Sequence, residues 1–318
     1  MFNNKIDISL TSGIVTRMLC SLLFWGFLLI CALPARAAES EALGEQILAQ
    51  DTTWSGTKIV TGVVVVGRGA TLTIKPGSRI LFKKIDRNHD GIGDSELRVL
   101  GQILALGSAQ EPIYFGSAEE QPAPKDWSYL LIFSSGKKNA LQYCTFEHGF
   151  SGLQVHFSTA AVSDCTFKNN NEGIRFGRAK LTLEHNQFRD NNLGVRFTRM
   201  EGPVEIRHNE ISHNRIGVFL VPSGQNIVDF FAPGRSGRPW NEGHLEISAN
   251  HIYDNEDYNL NLGAKQVWDL KVSGNWWNVS DLGAIEAKIY DRHDDPTLGQ
   301  ARYRPIATHP LPGIGVRP

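Results

Sequence analysis

A repeat of about 21 residues runs through the middle of the chain and sharply limits what it can fold into. Cys165-Thr-Phe167 leads to Asn170, Gly173-Ile174 and Phe176. Asn186-Gln-Phe188 leads in the same way to Asn191, Gly194-Val195 and Phe197, and Asn209-Glu-Ile211 to Asn214, Gly217-Val218 and Leu220. The internal offsets are identical in the three, and their starts lie 21 and then 23 residues apart. An earlier copy starts at Cys144-Thr-Phe146 and runs to Gly149, Gly152-Leu153 and Val155. A later copy, Asn250-His-Ile252-Tyr-Asp-Asn255, slips by one residue near Asn259, and Asn275-Trp-Trp277 is a final partial copy. Short units of fixed period cannot bury an apolar face alone, but a stack of them can, so the repeat predicts a solenoid.

The units are β-rich. Runs such as Gly173-Ile-Arg-Phe176 and Leu181-Thr-Leu-Glu184 alternate apolar and polar residues, the strand period. A coil of about 21 residues holds three short strands and three bends, and each strand pairs with its equivalents about 4.8 Å above and below. Asn186 and Asn209 then stack at one bend, and Asn170, Asn191, Asn214 and Asn255 at another. Stacked amides donate one way and accept the other. Gly173, Gly194 and Gly217 suit a sharp bend with positive φ.

With these features the chain resembles the right-handed parallel β-helix family, the pectin-lyase-like superfamily, over roughly residues 54–310. The resemblance is carried by Trp54-Ser-Gly56, Val63–Val66, Gly69-Ala-Thr-Leu-Thr-Ile-Lys-Pro-Gly77, Ile80-Leu-Phe82, Leu100–Gly107 and Pro112-Ile-Tyr-Phe115. At the other end, Asn275-Trp-Trp277, Ile285, Ile289-Tyr-Asp291 and Tyr303-Arg-Pro305 resemble a common closing segment. The expected organisation is a leader at 1–37, a lead-in at 38–53, an all-β, single-stranded right-handed β-helix of eight or nine coils at 54–310, and a tail at 311–318. One fold hosts many activities, so the resemblance leaves function open.

The N-terminus reads as a secretion signal: Lys5 and Arg17 precede an apolar run from Leu19 to Leu33, and Ala35-Arg-Ala37 is a small-x-small cleavage site. This predicts a periplasmic or secreted bacterial protein with no membrane span after cleavage. Cleavage after Ala37 removes Lys5, Arg17 and Arg36 against Asp7, so the formal net charge of −1 becomes more negative. Nothing suggests a nucleic-acid binder, which is normally strongly basic. Cys144 and Cys165 share one repeat position in adjacent coils, within disulfide range in an exported protein. Reduced, packed thiols are the alternative.

Asp86-Arg-Asn-His-Asp90-Gly-Ile-Gly-Asp94-Ser-Glu96 places oxygen ligands at positions 1, 3, 5 and 9 around a glycine at position 6. It resembles calcium loops of dockerin and EF-hand type, which implies Asp86, Asn88, Asp90, the Ile92 carbonyl, Asp94 and Glu96 as ligands of a structural calcium. The final acid, Glu96, comes one place early, and the flanks read as strand. An Asp/Asn/Gly turn without an ion is the alternative.

Polar residues form columns. His148, Asn169, Asp190, His213 and Asp254 share one repeat position; Asp164, His185 and His208 share another; Arg175 and Arg196 share a third. Such columns line a saccharide groove, bind a transition metal, or are solvated bends. Stacked side chains seldom converge on one ion. An insertion at 222–244 leaves the repeat, and its Phe230, Phe231 and Trp240 with Arg235 and Arg238 suit stacking on a sugar and holding an anion. Covering the side of the coil is the equal alternative. Asp291-Arg-His293-Asp-Asp295-Pro is only similar to the Asp-Pro-His-Asp run of mannuronan epimerases, and the Gly-His-Gly motif of polygalacturonases does not occur. The chain is therefore expected to bind a polysaccharide or cell-envelope glycan along its coil face. A lyase, epimerase or hydrolase using Arg175, Arg196 and His213 is the alternative. A metal-handling or assembly factor is a third reading, and it needs two His to meet at a point, such as His185 and His208 with Asp164.

Overall fold

The computed structural model describes Met1 and residues 40–199, 202–220, 245–263 and 266–318. The apolar run of the leader and the 222–244 insertion, with Phe230, Phe231, Arg235, Arg238 and Trp240, lie outside the described residues. Three long sheets carry the rest. Sheet A has nine strands, from Glu41–Leu43 to His251–Tyr253. Sheet B has ten, from Gln46–Leu48 to Ile289–Tyr290, and sheet C has eight, from Thr52–Trp54 to Leu245–Ile247. Consecutive strands of the chain go to A, B and C in turn, and neighbours within each sheet are parallel. One coil is Thr166–Lys168, Glu172–Gly177 and Lys180–Glu184. Coiling begins at Glu41, so part of the expected lead-in is the first coil.

Inward side chains of successive coils stack. Phe115, Phe146, Phe167 and Phe188 form a column with ring centroids 4.7, 4.8 and 4.8 Å apart, continued by Ile211 and Ile252. These distances equal the strand spacing, so in-register pairing alone sets the offset stacking. Phe82 stacks on Trp127 at 4.2 Å, and Phe176 on Phe197 at 5.3 Å.

Both asparagine ladders form. In one, the Asn186 backbone N–H and Nδ2 donate to Asn209 Oδ1, Asn209 donates likewise to Asn250, and Asn250 to Asn275. In the other, Asn170 donates to Asn191, Asn191 to Asn214, Asn214 to Asn255, and Asn255 to Asn259. The register slip at Asn259 thus still supplies the last acceptor. All of these side chains are buried, and each serves backbone groups that the bend leaves outside the sheet ladders.

Cys144 and Cys165 are buried free thiols that continue the first ladder. Cys165 Sγ accepts from the Cys144 N–H at 3.4 Å, just as Asn186 Oδ1 accepts from the Cys165 N–H at 3.0 Å. Burial, with the neighbouring Cys165, pushes the Cys144 thiol well above its usual range.

The glycines correct one expectation. Gly173, Gly194 and Gly217 are not among the positive-φ residues. They are needed for space: a Cβ on Gly173 would lie 2.5 Å from the Gly194 carbonyl oxygen, and one on Gly194 would lie 2.7 Å from that of Gly217. The left-handed bends fall instead on the His/Asp/Asn columns. His148, Asn169, Asp190, His213 and Asp254 have φ of 66, 54, 56, 56 and 51°, and Asp164, His185 and His208 have 54, 58 and 56°. Asn, Asp and His tolerate that region best among residues with a Cβ, so backbone conformation already accounts for much of the column composition.

The coil closes with a short helix, α1 (Leu282–Glu286), capped by Asp281 Oδ1 on the Ala284 N–H. A two-stranded parallel sheet, Leu270–Lys271 with Ala301–Arg302, packs at the same end. The end of the chain then runs back along the bend between sheets C and A. Leu311 N–H donates to His251 Nε2, Gly315 N–H to the His208 carbonyl, and the Arg317 guanidinium binds both oxygens of Asp164 at 2.7 and 2.6 Å. Among the described residues no helix is long and apolar enough to cross a membrane.

Candidate functional site: the outer face of sheet B

Arg175 and Arg196 are register partners on neighbouring strands of sheet B. Both point outward and grip one carboxylate, Glu172: Arg175 Nη2 lies 2.6 Å from Oε1, and Arg196 Nη1 contacts the same oxygen. Ser151 Oγ donates to Glu172 Oε2, and Gln154 Nε2 donates to Ser151 Oγ at 3.1 Å. Glu172 is about 1% exposed while both arginines keep about a fifth of their side-chain surface open. Burial alone would raise the Glu172 pKa, but Arg175, Arg196 and Ser151 outweigh it and hold the group below its usual range. Glu172 is therefore ionised at neutral pH.

Strict alternation would not put Glu172 beside Arg175, three positions on. Gly173 breaks the alternation. A Cβ there would meet Phe167 and Phe188, so it faces inward, as do buried Ile174 and Phe176. Two successive inward positions leave both Glu172 and Arg175 outside. The register pairs Ser151 with Glu172 and Leu153 with Ile174, so Gly152 shifts its own strand in the same way.

The same face carries a second acid–arginine pair towards the N-terminal end. Glu96 binds Arg98, and its raised pKa follows from burial, which Arg98 and Tyr129 only partly offset. Tyr129 is pushed up to about 12, first by burial and then by Glu96. His156 is pushed down to about 4 by burial and by the nearby Arg175 charge. Phe150 lies against the Arg175 guanidinium at 5.5 Å. The buried Nε–H groups of Arg98, Arg175 and Arg196 have no hydrogen-bond partner. Three guanidiniums thus face two carboxylates, beside aromatic rings and two neutral titratable groups. Glu96 and Glu172 are three strand spacings apart through Tyr129 and Ser151, about 14 Å. Paired-carboxylate glycoside hydrolysis needs about 5–9.5 Å, so these two acids do not form such a pair.

His213 does not join this face. It sits exposed at a bend, edge-on to Tyr253 at 6.1 Å. The Asp291 run is structural: Asp291 accepts from the Ala301 and His293 N–H groups, and Asp295 from Thr297. In the calcium-type loop, Asp86 accepts from the Asp90 and Gly91 N–H groups, Asp90 from Ile92, and Asp94 from Arg87. Asp86, Asn88, Asp90, Ile92 and Asp94 share that loop, but Glu96 does not fit as their sixth partner, because it is turned onto Arg98 and Tyr129 of sheet B. Among the described residues, only Glu184, His185 and His208 bring three His, Cys, Asp or Glu ligand atoms within 4.8 Å of one another.

Residues 130–279 match the family model described as the right handed beta helix region. The three parallel sheets continue the same architecture to both sides of that segment, and the chain is a right-handed parallel β-helix protein. Searches of curated proteins and of solved structures each returned no match.

Proposed function

We propose that this protein binds an anionic polysaccharide of the cell envelope along the outer face of sheet B. The observation that carries the reading is the excess of guanidinium over carboxylate there: Arg98, Arg175 and Arg196 against Glu96 and Glu172, all on one long parallel sheet. Arginine forks suit carboxylate and sulfate groups, and Phe150 and Tyr129 offer flat surfaces for sugar rings. Export to the periplasm or beyond is part of the proposal and rests on the leader-like sequence before Ala37. The oxygen-rich loop at 86–94 is proposed to take calcium as a structural ion. The 222–244 loop, with Phe230, Phe231, Arg235, Arg238 and Trp240, is proposed as an additional arm for the glycan.

The test is a glycan array spanning uronate-bearing, sulfated and neutral chains, run with calcium and with chelator on the protein and on Arg196→Gln. Binding confined to the anionic chains, and weakened at least tenfold by the substitution, is the expected result. Equal binding of neutral chains removes the proposal.

A lyase or epimerase is the second reading. It is favoured by one observation: neutral His156 and neutral Tyr129 share the face with Arg175, so a proton acceptor and a donor flank a group that would stabilise a developing anion. Following each bound glycan for hours separates the two. New unsaturated ends or epimerised units require the enzyme, and unchanged glycan requires the binder.

A further inference from the structure

The geometry points to a transition-metal site at the bend between sheets C and A, formed by Glu184, His185 and His208, remote from the sheet B face. His185 and His208 occupy the same bend in adjacent coils, and both are held left-handed, with φ of 58 and 56°. Their side chains therefore leave the backbone in the same direction, and the rings stack at 5.0 Å with 11° between planes. Glu184 ends the strand just before His185 and reaches across, with Oε1 3.4 Å from His208 Nδ1. Tetrahedral coordination at about 2.0–2.1 Å requires ligand atoms about 3.3–3.4 Å apart, so this pair already sits at the required edge. All three ligand atoms lie within 4.8 Å of one another, and small rotations of half-exposed side chains supply the remaining contraction.

A second observation is independent of that spacing. His185 Nδ1 is buried and has no hydrogen-bond partner. A buried ring nitrogen without a partner is costly, and a metal ion satisfies a neutral one directly.

The surroundings allow the site to form. Glu184 has two further cationic neighbours: Arg207, whose Nε lies at 3.6 Å, beyond a hydrogen bond, and Arg317, which is held by Asp164. Arg207 has a closer partner in Glu205 at 2.6 Å, so an incoming cation releases Glu184 without orphaning a charge. The third ligand is Glu184 rather than Asp164, because Arg317 occupies both Asp164 oxygens. The Gly315 N–H bond to the His208 carbonyl holds that coil's bend in place. Two imidazoles and one carboxylate suit zinc, cobalt, nickel or copper(II) and are poor for calcium or magnesium. Three protein ligands leave a fourth position for water or an exogenous group.

The test is a zinc titration of chelator-treated protein by calorimetry, in excess calcium so that the Asp-rich loop at 86–94, which also carries His89, does not compete. His185→Asn and His208→Asn are the variants, since Asn tolerates the left-handed bend while removing the imidazole. His213→Asn is the control, being another left-handed bend histidine on a different edge. One zinc per chain is expected, weakened at least tenfold in each of the first two variants and unchanged in the control. Imidazole NMR resonances of His185 and His208 should move together on addition of zinc. Absence of zinc binding, or binding equal in all three variants, overturns the site. Glycan binding plays no part in this readout, so failure here leaves the sheet B proposal standing.

Discussion

Asn191→Ala interrupts the second asparagine ladder at its centre. The carboxamide makes four hydrogen bonds: Oδ1 accepts from the Asn170 N–H and Nδ2, and Nδ2 donates to the Phe167 carbonyl and to Asn214 Oδ1. Some of these partners have substitutes. Asn170 Nδ2 keeps the Phe146 and Lys168 carbonyls, and Asn214 Oδ1 keeps the Asn191 N–H. The Asn170 backbone N–H has none, and Asn170 is 1% exposed, so one buried donor is orphaned outright at about 1–3 kcal/mol. The other losses, at about 0.5–1 kcal/mol each, bring the total to about 3–5 kcal/mol. Asn171→Ala, next to Asn170 in the coil before and half-exposed, should cost under about 1 kcal/mol. Stacked coils can unfold in steps, so urea unfolding should be paired with amide exchange at Asn170. About 3 kcal/mol corresponds to exchange more than about 100-fold faster. A loss below about 1 kcal/mol with unchanged Asn170 exchange would show that the ladder is not what holds this bend.

Four other outcomes follow from the same geometry. Asn186→Cys should cost less than half of Asn186→Ala in urea unfolding, because Cys165 already serves the equivalent acceptor position in the coil before. Gly173→Ala should destabilise by about 1–3 kcal/mol, since the methyl would press on the Gly194 carbonyl, and Gly173→Asn or Gly173→Asp should give no rescue of the kind a left-handed position allows. Glu172 has a depressed folded pKa, so the stability it contributes is complete above the ordinary glutamate range near pH 4.3 and is lost as pH falls from there through the folded value; Glu172→Gln should flatten that limb of the stability–pH curve. His156 is depressed to about 4, so the unfolded chain takes up a proton first, and its contribution is present above about pH 6.5 and falls away between about 6.5 and 4; an imidazole NMR titration with a midpoint near 6.5 would refute that burial.

The coil is legible in the sequence because identical offsets force in-register stacking, and stacking then fixes both asparagine ladders. What escapes is the part that departs from simple periods. Gly173 suggests a positive φ because glycine at a bend usually serves one, yet the constraint is the carbonyl of the next coil, a long-range contact no local pattern carries. Glu172 is hidden as a partner of Arg175 because the inward-facing glycine shifts the strand alternation by one position. Glu96 looks like a loop ligand by spacing, but its strand already places it on sheet B. The histidine columns suggest chemistry, while their left-handed backbone explains much of their composition; among the described residues only His185 and His208 come together with an acid in a cluster of three ligand atoms. Asp164 shares their position in the repeat, and nothing local separates it from them, because its partner, Arg317, lies 153 residues away.

The most direct test of anionic-glycan binding on sheet B is a titration of an oligouronate into the protein, Arg196→Gln and Arg189→Gln at two salt concentrations. Arg196 lies on the proposed face and leaves Arg175 to neutralise Glu172, whereas Arg189 lies on sheet A. Affinity should fall at least tenfold in Arg196→Gln, fall with added salt in the unaltered protein, and stay unchanged in Arg189→Gln. Equal affinity in all three proteins, or binding indifferent to salt, would contradict the assignment of that face.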